Sequence, residues 1–202
     1  MPELFEIKAF AALLKASLTD TPQHFTIVTY PKHCGKDAII NKADAEAAMG
    51  TPIQVALTKS DISSYGKELV IRISPTRVLI CHFALHGHAV TLSPQQLKMA
   101  DVCREAGLPP FTPLIFRALG DHNSIAVIDR NKLCRLAFVQ LKDGELFETC
   151  RTQGRGPCPV KESEPFEQLV RSIPSRGYIK RNFSPIAHYI YSKIYSMGSV
   201  VV

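Results

Sequence analysis

The sequence predicts an α+β fold: a β-sandwich or flattened barrel of two antiparallel sheets, flanked by an N-terminal helix and followed by short C-terminal helical segments. Three observations carry this prediction. Apolar residues near the N-terminus recur at helical spacing. Short alternating or apolar stretches bounded by Gly, Pro and Asx turns follow. The chain has 202 residues, 46% of them hydrophobic and 21% charged, enough to bury a sizeable core.

Ile7, Phe10, Leu14 and Leu18 share one face, which predicts a helix over residues 3–18, ended by Asp20-Thr21-Pro22. Residues 25–30 alternate as a strand that 31–35 breaks. Residues 41–49 read as a short helix capped by Asn41, and 53–57 as a further strand. Residues 67–73 alternate at period two, turn at Ser74-Pro75-Thr76, and return as the more apolar strand 78–83. Residues 93–113, rich in proline, read as irregular. A second hairpin is expected from 114–119 and 124–128, turning at 120–123. Asp129-Arg130-Asn131-Lys132 is then a polar turn into a strand over 133–141. Residues 144–159 form a loop, and 166–173 and 185–197 read as helices. There is no internal repeat.

Lys+Arg 24 against Asp+Glu 18 gives a formal charge of +6 and a pI near 9.0, compatible with a phosphate backbone as partner. No apolar run approaches the roughly 18 residues of a transmembrane helix, so no membrane partner is expected. No signal peptide is recognised. The six cysteines, Cys34, Cys81, Cys103, Cys134, Cys150 and Cys158, are therefore expected to be reduced, in the nucleus or cytoplasm with the mitochondrion also open. No two of them stand three apart, so the CxxC half of a zinc site is missing. His82, His86 and His88 would share a face of one strand and, with Cys81, form the densest ligand cluster. The run 78–83 reads more simply as a buried strand with packed histidines, and no metal is expected.

The chemically distinctive stretch is Met1-Pro2-Glu3-Leu4-Phe5-Glu6. Removal of Met1 would leave Pro2 with a free secondary amine, a nucleophile near neutral pH because α-amino groups titrate at roughly 7.7–8.0. Such an amine attacks a sugar C1′ or a carbonyl carbon to give an imine, and Glu3 adjoins it as a proton shuttle. The same six residues also suit a plain helix start, with Pro2 in the first turn and Glu3 and Glu6 favouring the N-terminus. Lys67 follows Tyr65-Gly66 at the mouth of the first hairpin, where loops on a rigid sheet commonly carry catalytic groups.

Several blocks, in order along the chain, resemble the N-terminal domain of the formamidopyrimidine-DNA glycosylase and endonuclease VIII family. Met1–Glu6 is similar to that family's MPELPE, and Tyr65-Gly66-Lys67-Glu68-Leu69 to its RGK hairpin. His82-Phe83-Ala84-Leu85-His86-Gly87 is similar to HLGMSG, and Asp129-Arg130-Asn131-Lys132-Leu133-Cys134 to DPRRFG. Gly156-Pro157-Cys158-Pro159-Val160 is similar to LGPEPL, and Ile179-Lys180 to the IK of the helix–two-turn–helix module. The resemblance implies a catalytic domain over residues 1–160 and a helical remnant of that module over 161–202. It implies base-excision repair: glycosylase and abasic-site lyase activity on damaged or abasic double-stranded DNA, by a monomer without cofactor.

On this reading Pro2, Glu3 and Lys67 are catalytic, and Glu6 lies near the extruded base. Leu85 stands where the family inserts a methionine into the vacated gap. Asn131 or Lys132, with Leu133, stand where an arginine and a phenylalanine face the opposite strand, and Lys180 is a DNA contact. No G-x-G-N turn and no finger follow, so a truncated or degenerate module is expected. The alternative is a catalytically inactive nucleic-acid-binding or interaction protein on the same scaffold, or a gene product cut short.

Overall fold

Leu4–Ser17 forms helix α1, rich in alanine and leucine, with Ile7 as its one β-branched residue. Ile7, Ala11 and Leu14 make its buried stripe, and Lys15 in the last turn suits the negative end of the helix dipole. The structure, a computed structural model, describes residues 4–33, 39–40, 53–83, 87–109, 111–150, 157–158 and 161–172. Its chain divides into two compact units, Met1–Arg155 and Gly156–Val202.

The first unit holds ten described strands in two five-stranded sheets. These are β1 (Gln23–Thr29), β2 (Ile39–Ile40), β3 (Ile53–Leu57), β4 (Ile62–Tyr65), β5 (Glu68–Ser74), β6 (Arg77–His82), β7 (His88–Leu92), β8 (Phe111–Ala118), β9 (Ser124–Asp129) and β10 (Arg135–Gln140). The first sheet has the order β3-β1-β8-β9-β7 and the second β2-β10-β6-β5-β4. All described pairings are antiparallel except the two-residue contact of β2 with β10. The expected α+β sandwich with its N-terminal helix is present.

Period-two alternation supplies the core. Leu69, Ile71, Leu79, Cys81, Leu136 and Phe138 from one sheet join Phe25, Ile27, Leu114, Phe116, Ile125 and Val127 from the other, with the α1 stripe, in one buried cluster. Each such side chain contributes about 1.5–3 kcal/mol on burial. Phe25, Phe83, Phe116 and Phe138 are its largest members.

The stretch 93–113, expected to be irregular, contains helix α2 (Pro94–Glu105). Its start is a capping box: Gln96 N–H donates to Ser93 Oγ at 3.3 Å, and Ser93 N–H donates to Gln96 Oε1 at 2.9 Å. Pro94 sits in the first turn, where its missing N–H costs nothing. Leu97 and Ala100 pack on Leu92, Ile115 and Ala126, covering the outer face of the first sheet. Strands β4 and β7 are likewise additional to the elements that the sequence pattern predicts. Strand β5 begins at Glu68, which leaves Lys67 in the turn after Gly66, whose φ of 55° is left-handed.

The shared strand face expected for His82, His86 and His88 does not form. His82 ends β6 in one sheet and His88 begins β7 in the other. In the second unit, helix α3 (Ser163–Ser172) takes the place of the helix expected over 166–173. The helices expected over 41–49 and 185–197 lie outside the described residues.

Candidate nucleic-acid interface

Strand register brings the chemistry-bearing segments to one end of the sandwich. Tyr65 pairs with Glu68, Glu68 with His82, and His82 with Arg135, a row across β4, β5, β6 and β10. In the other sheet His88 pairs with Ile128, and Phe111 with Asp129. The chain passes from β6 in one sheet to β7 in the other at this end, and again from β9 to β10. Turn 65–68 lies at the same end.

Helix α1 is aimed at it too. The helix C-terminus is tied beside the entry to β4, where Lys59 N–H donates to Thr19 O at 3.2 Å and Lys59 pairs with Asp20 at 3.3 Å. Toward the other end of the helix, Phe10 packs edge-on against Phe83, centroids 5.7 Å apart, and lies 6.4 Å from the His88 ring. The helix therefore runs antiparallel to β4, with its first turn directed to the end that carries the turns.

Glu68 is buried, and its Oε1 stands 4.0 Å from Nδ1 of His82, itself only 15% exposed. A carboxylate removed from water is stable only where charge or hydrogen bonds compensate it. Lys67 is half-buried, with Nζ withheld from solvent.

The turn after β9 is built by Asp129, which is fully buried. Its carboxylate accepts from the backbone N–H groups of Asn131 at 2.9 Å, Leu133 at 2.6 Å and Cys134 at 2.6 Å. Closing the loop this tightly puts Lys132 in a left-handed conformation, φ 55°, at a cost of order 1 kcal/mol for a side chain with a Cβ. The Lys132 ammonium then lies 3.9 Å from the centroid of Phe111, a cation–π contact worth about 0.5–2 kcal/mol. Arg130, Asn131 and Arg135 are exposed, and Leu133 is 39% exposed.

Below this turn, the buried His33 accepts from Thr112 N–H through Nδ1 at 3.2 Å, and its ring lies 5.3 Å from Phe111 and 6.0 Å from Tyr30. Burial holds the His33 pKa below its ordinary value, with Lys132 and Arg104 adding positive charge nearby. Asp101 takes hydrogen bonds from both Arg104 and Arg117. Burial alone would raise the Asp101 pKa, but the two guanidinium groups outweigh it and hold the carboxyl below the usual range, while Arg117 is raised in turn.

Of the residues singled out from sequence, Glu6 is exposed in the first turn of α1, and Lys67, Asn131, Lys132 and Leu133 lie in the two turns brought together here. Pro2, Glu3, Leu85 and Lys180 lie outside the described residues. Sequence reasoning missed Glu68, Arg130 and Asp129 as site-forming groups. The available signal was a charged residue inside a strand pattern at Glu68 and an Asx residue opening a polar turn at Asp129.

No protein-family model matches the chain, and no curated protein matches it. Among solved structures, it is similar to MutM in complex with DNA containing carbocyclic 8-oxo-G, with a TM-score of 0.49, 16% identity, and coverage of 69% of this chain and 45% of that one. It is also similar to the Lactococcus lactis formamidopyrimidine DNA glycosylase bound non-covalently to DNA containing an abasic site, with a TM-score of 0.46, 16% identity, and coverage of 69% and 45%. A further complex of that Lactococcus lactis protein with abasic-site DNA gives 0.46, 17% identity, 69% and 44%. This chain spans less than half the length of each.

Proposed function

We propose that the chain is a base-excision repair DNA glycosylase with abasic-site lyase activity, acting as a monomer on damaged or abasic double-stranded DNA. One observation carries the reading: the segments that hold Lys67, His82 and the 129–134 turn meet at the end of the sandwich to which α1 directs its first turn. Exposed Arg130 and Arg135 make that end basic, while the carboxylates of Glu68 and Asp129 are buried beneath it.

In this reaction the Pro2 amine attacks C1′ of the damaged nucleoside, and the bond from C1′ to the base breaks. Glu3 protonates the sugar as its ring opens. The resulting iminium acidifies the C2′ proton, whose removal expels the 3′ phosphate by β-elimination. Lys67 contacts phosphate, Glu6 lies near the extruded base and Leu85 fills the gap left in the stack. The turn with Asn131, Lys132 and Leu133 faces the opposite strand, and Lys180 contacts DNA.

Borohydride trapping on abasic duplex tests it. Protein whose Met1 has been removed is expected to give a covalent adduct that Pro2→Gly and Glu3→Gln diminish by orders of magnitude. No adduct from correctly processed protein defeats the lyase reading. Salt-dependent duplex binding with no adduct, unchanged by both substitutions, would instead establish the inactive nucleic-acid-binding protein. The solvent-withheld Nζ of Lys67 is the observation that favours this second reading.

A further inference from the structure

We infer that His33 is a proton-operated latch: while neutral it backs the Phe111 ring that seats the Lys132 ammonium, and on protonation it releases both. The inference goes beyond the function proposed above and needs no DNA. It starts from a break in a strand. The register of β8 against β9 shifts between Phe111 and Leu114, and Pro113 has no N–H to donate. Within this break Thr112, buried from solvent, donates its N–H to His33 Nδ1 at 3.2 Å. A ring nitrogen that accepts from a backbone N–H carries no proton, so the imidazole is neutral. His33 is buried too, and its own N–H donates to Tyr30 O at 2.8 Å. Tyr30 N–H in turn donates to Pro113 O at 2.8 Å.

Two rings contact the imidazole, and each carries a cation. Phe111, 5.3 Å away, has Lys132 Nζ 3.9 Å from its centroid. Tyr30, 6.0 Å away, has the Arg104 guanidinium carbon 4.5 Å from its centroid. The other charged groups on the surrounding elements are Lys32 beside it in sequence, Arg117 on β8, Asp101 and Glu105 on α2, and Asp129 and Arg130 at the turn. These three carboxylates are already engaged. Asp101 accepts from Arg104 and Arg117, Glu105 from Arg104, and Asp129 from three backbone N–H groups. A proton on Nδ1 therefore gains no carboxylate partner from them. It points at the Thr112 N–H, strands that buried donor, and adds a third positive charge beside the two already there. His33 then leaves its place and Phe111 loses the ring that backs it. Lys132, left-handed at φ 55°, relaxes to an ordinary backbone with its ammonium in water.

The test is NMR on the full chain without DNA, with lysine and histidine side chains isotope-labelled. The Phe111 ring current displaces the Lys132 ε-methylene signal, and Phe111→Leu identifies that signal by abolishing the displacement at every pH. As pH falls from about 7.5 to about 4.5, the displacement is expected to collapse with the midpoint of the His33 Cε1 signal. Burial places that midpoint below the ordinary imidazole value. The strand amides keep their native positions throughout. His33→Asn retains an acceptor for Thr112 N–H but takes no proton, so the displacement should persist across the range. His33→Gln serves in its place if that variant does not fold. A wild-type Lys132 signal that stays displaced to about pH 4.5 overturns the latch, whether or not His33 titrates. So does a wild-type midpoint that departs from that of His33, or a collapse that survives in the folded variant.

Discussion

Glu68 and His82 stand directly opposite one another on β5 and β6, with His82 Nδ1 4.0 Å from Glu68 Oε1. Residues that face one another on paired strands interact directly, so a double-mutant cycle with Glu68→Gln and His82→Gln should give a coupling of about 1 kcal/mol. Chemical denaturation of the four proteins measures it. A coupling near zero would show that the two side chains contribute independently.

The buried His33 and the part-buried Asp101 place their pH dependence in different windows. His33 has a folded-state pKa depressed first by burial, so the unfolded chain binds the proton more readily. Its contribution is complete above the unfolded value near 6.5 and is lost as pH falls below it. Asp101 has a depressed carboxyl pKa because the Arg117 and Arg104 hydrogen bonds outweigh its burial, so its contribution holds above the unfolded value and disappears as pH falls through the folded one. His33→Asn should flatten the stability curve just below about pH 6.5, with Asp101→Asn acting only in stronger acid. Thermal melts across that range separate the two, and an unchanged slope below 6.5 in His33→Asn would contradict the first.

Helix α2 depends on its cap. Ser93→Ala removes the acceptor for Gln96 N–H and should cost about 1 kcal/mol, while Ser93→Asp should retain most of the stability. Denaturant midpoints at constant slope measure both. A loss below a few tenths of a kcal/mol in Ser93→Ala would mean that packing of Leu97 and Ala100 alone holds the helix.

Helix α1 and the hairpins β5–β6 and β8–β9 were legible because each carries its own period and its own turn residues. Helix α2 was hidden by Pro94 and its polar sequence, although Ser93-Pro94-Gln95-Gln96 is a capping-box signature. Strand β4, Ile-Ser-Ser-Tyr, is too short and too polar to announce itself. Its place follows from pairing with β5. The same distinction governs the site. Lys67 and the turn from Asn131 to Leu133 were visible as local motifs. The closeness of Lys132 to Phe111 depends on which strands are neighbours and in what register, which no local window contains.

The two passages between sheets, from β6 to β7 and from β9 to β10, occur at the same end of the sandwich. The strand ends that flank each passage therefore belong to both layers. Any change in the spacing of the layers, such as loss of volume at Phe116 or Phe138 deep between them, is transmitted to both crossings together. The interior acts as a gauge block for the surface: a lesion far from the proposed DNA contacts would alter their separation before it unfolded the chain.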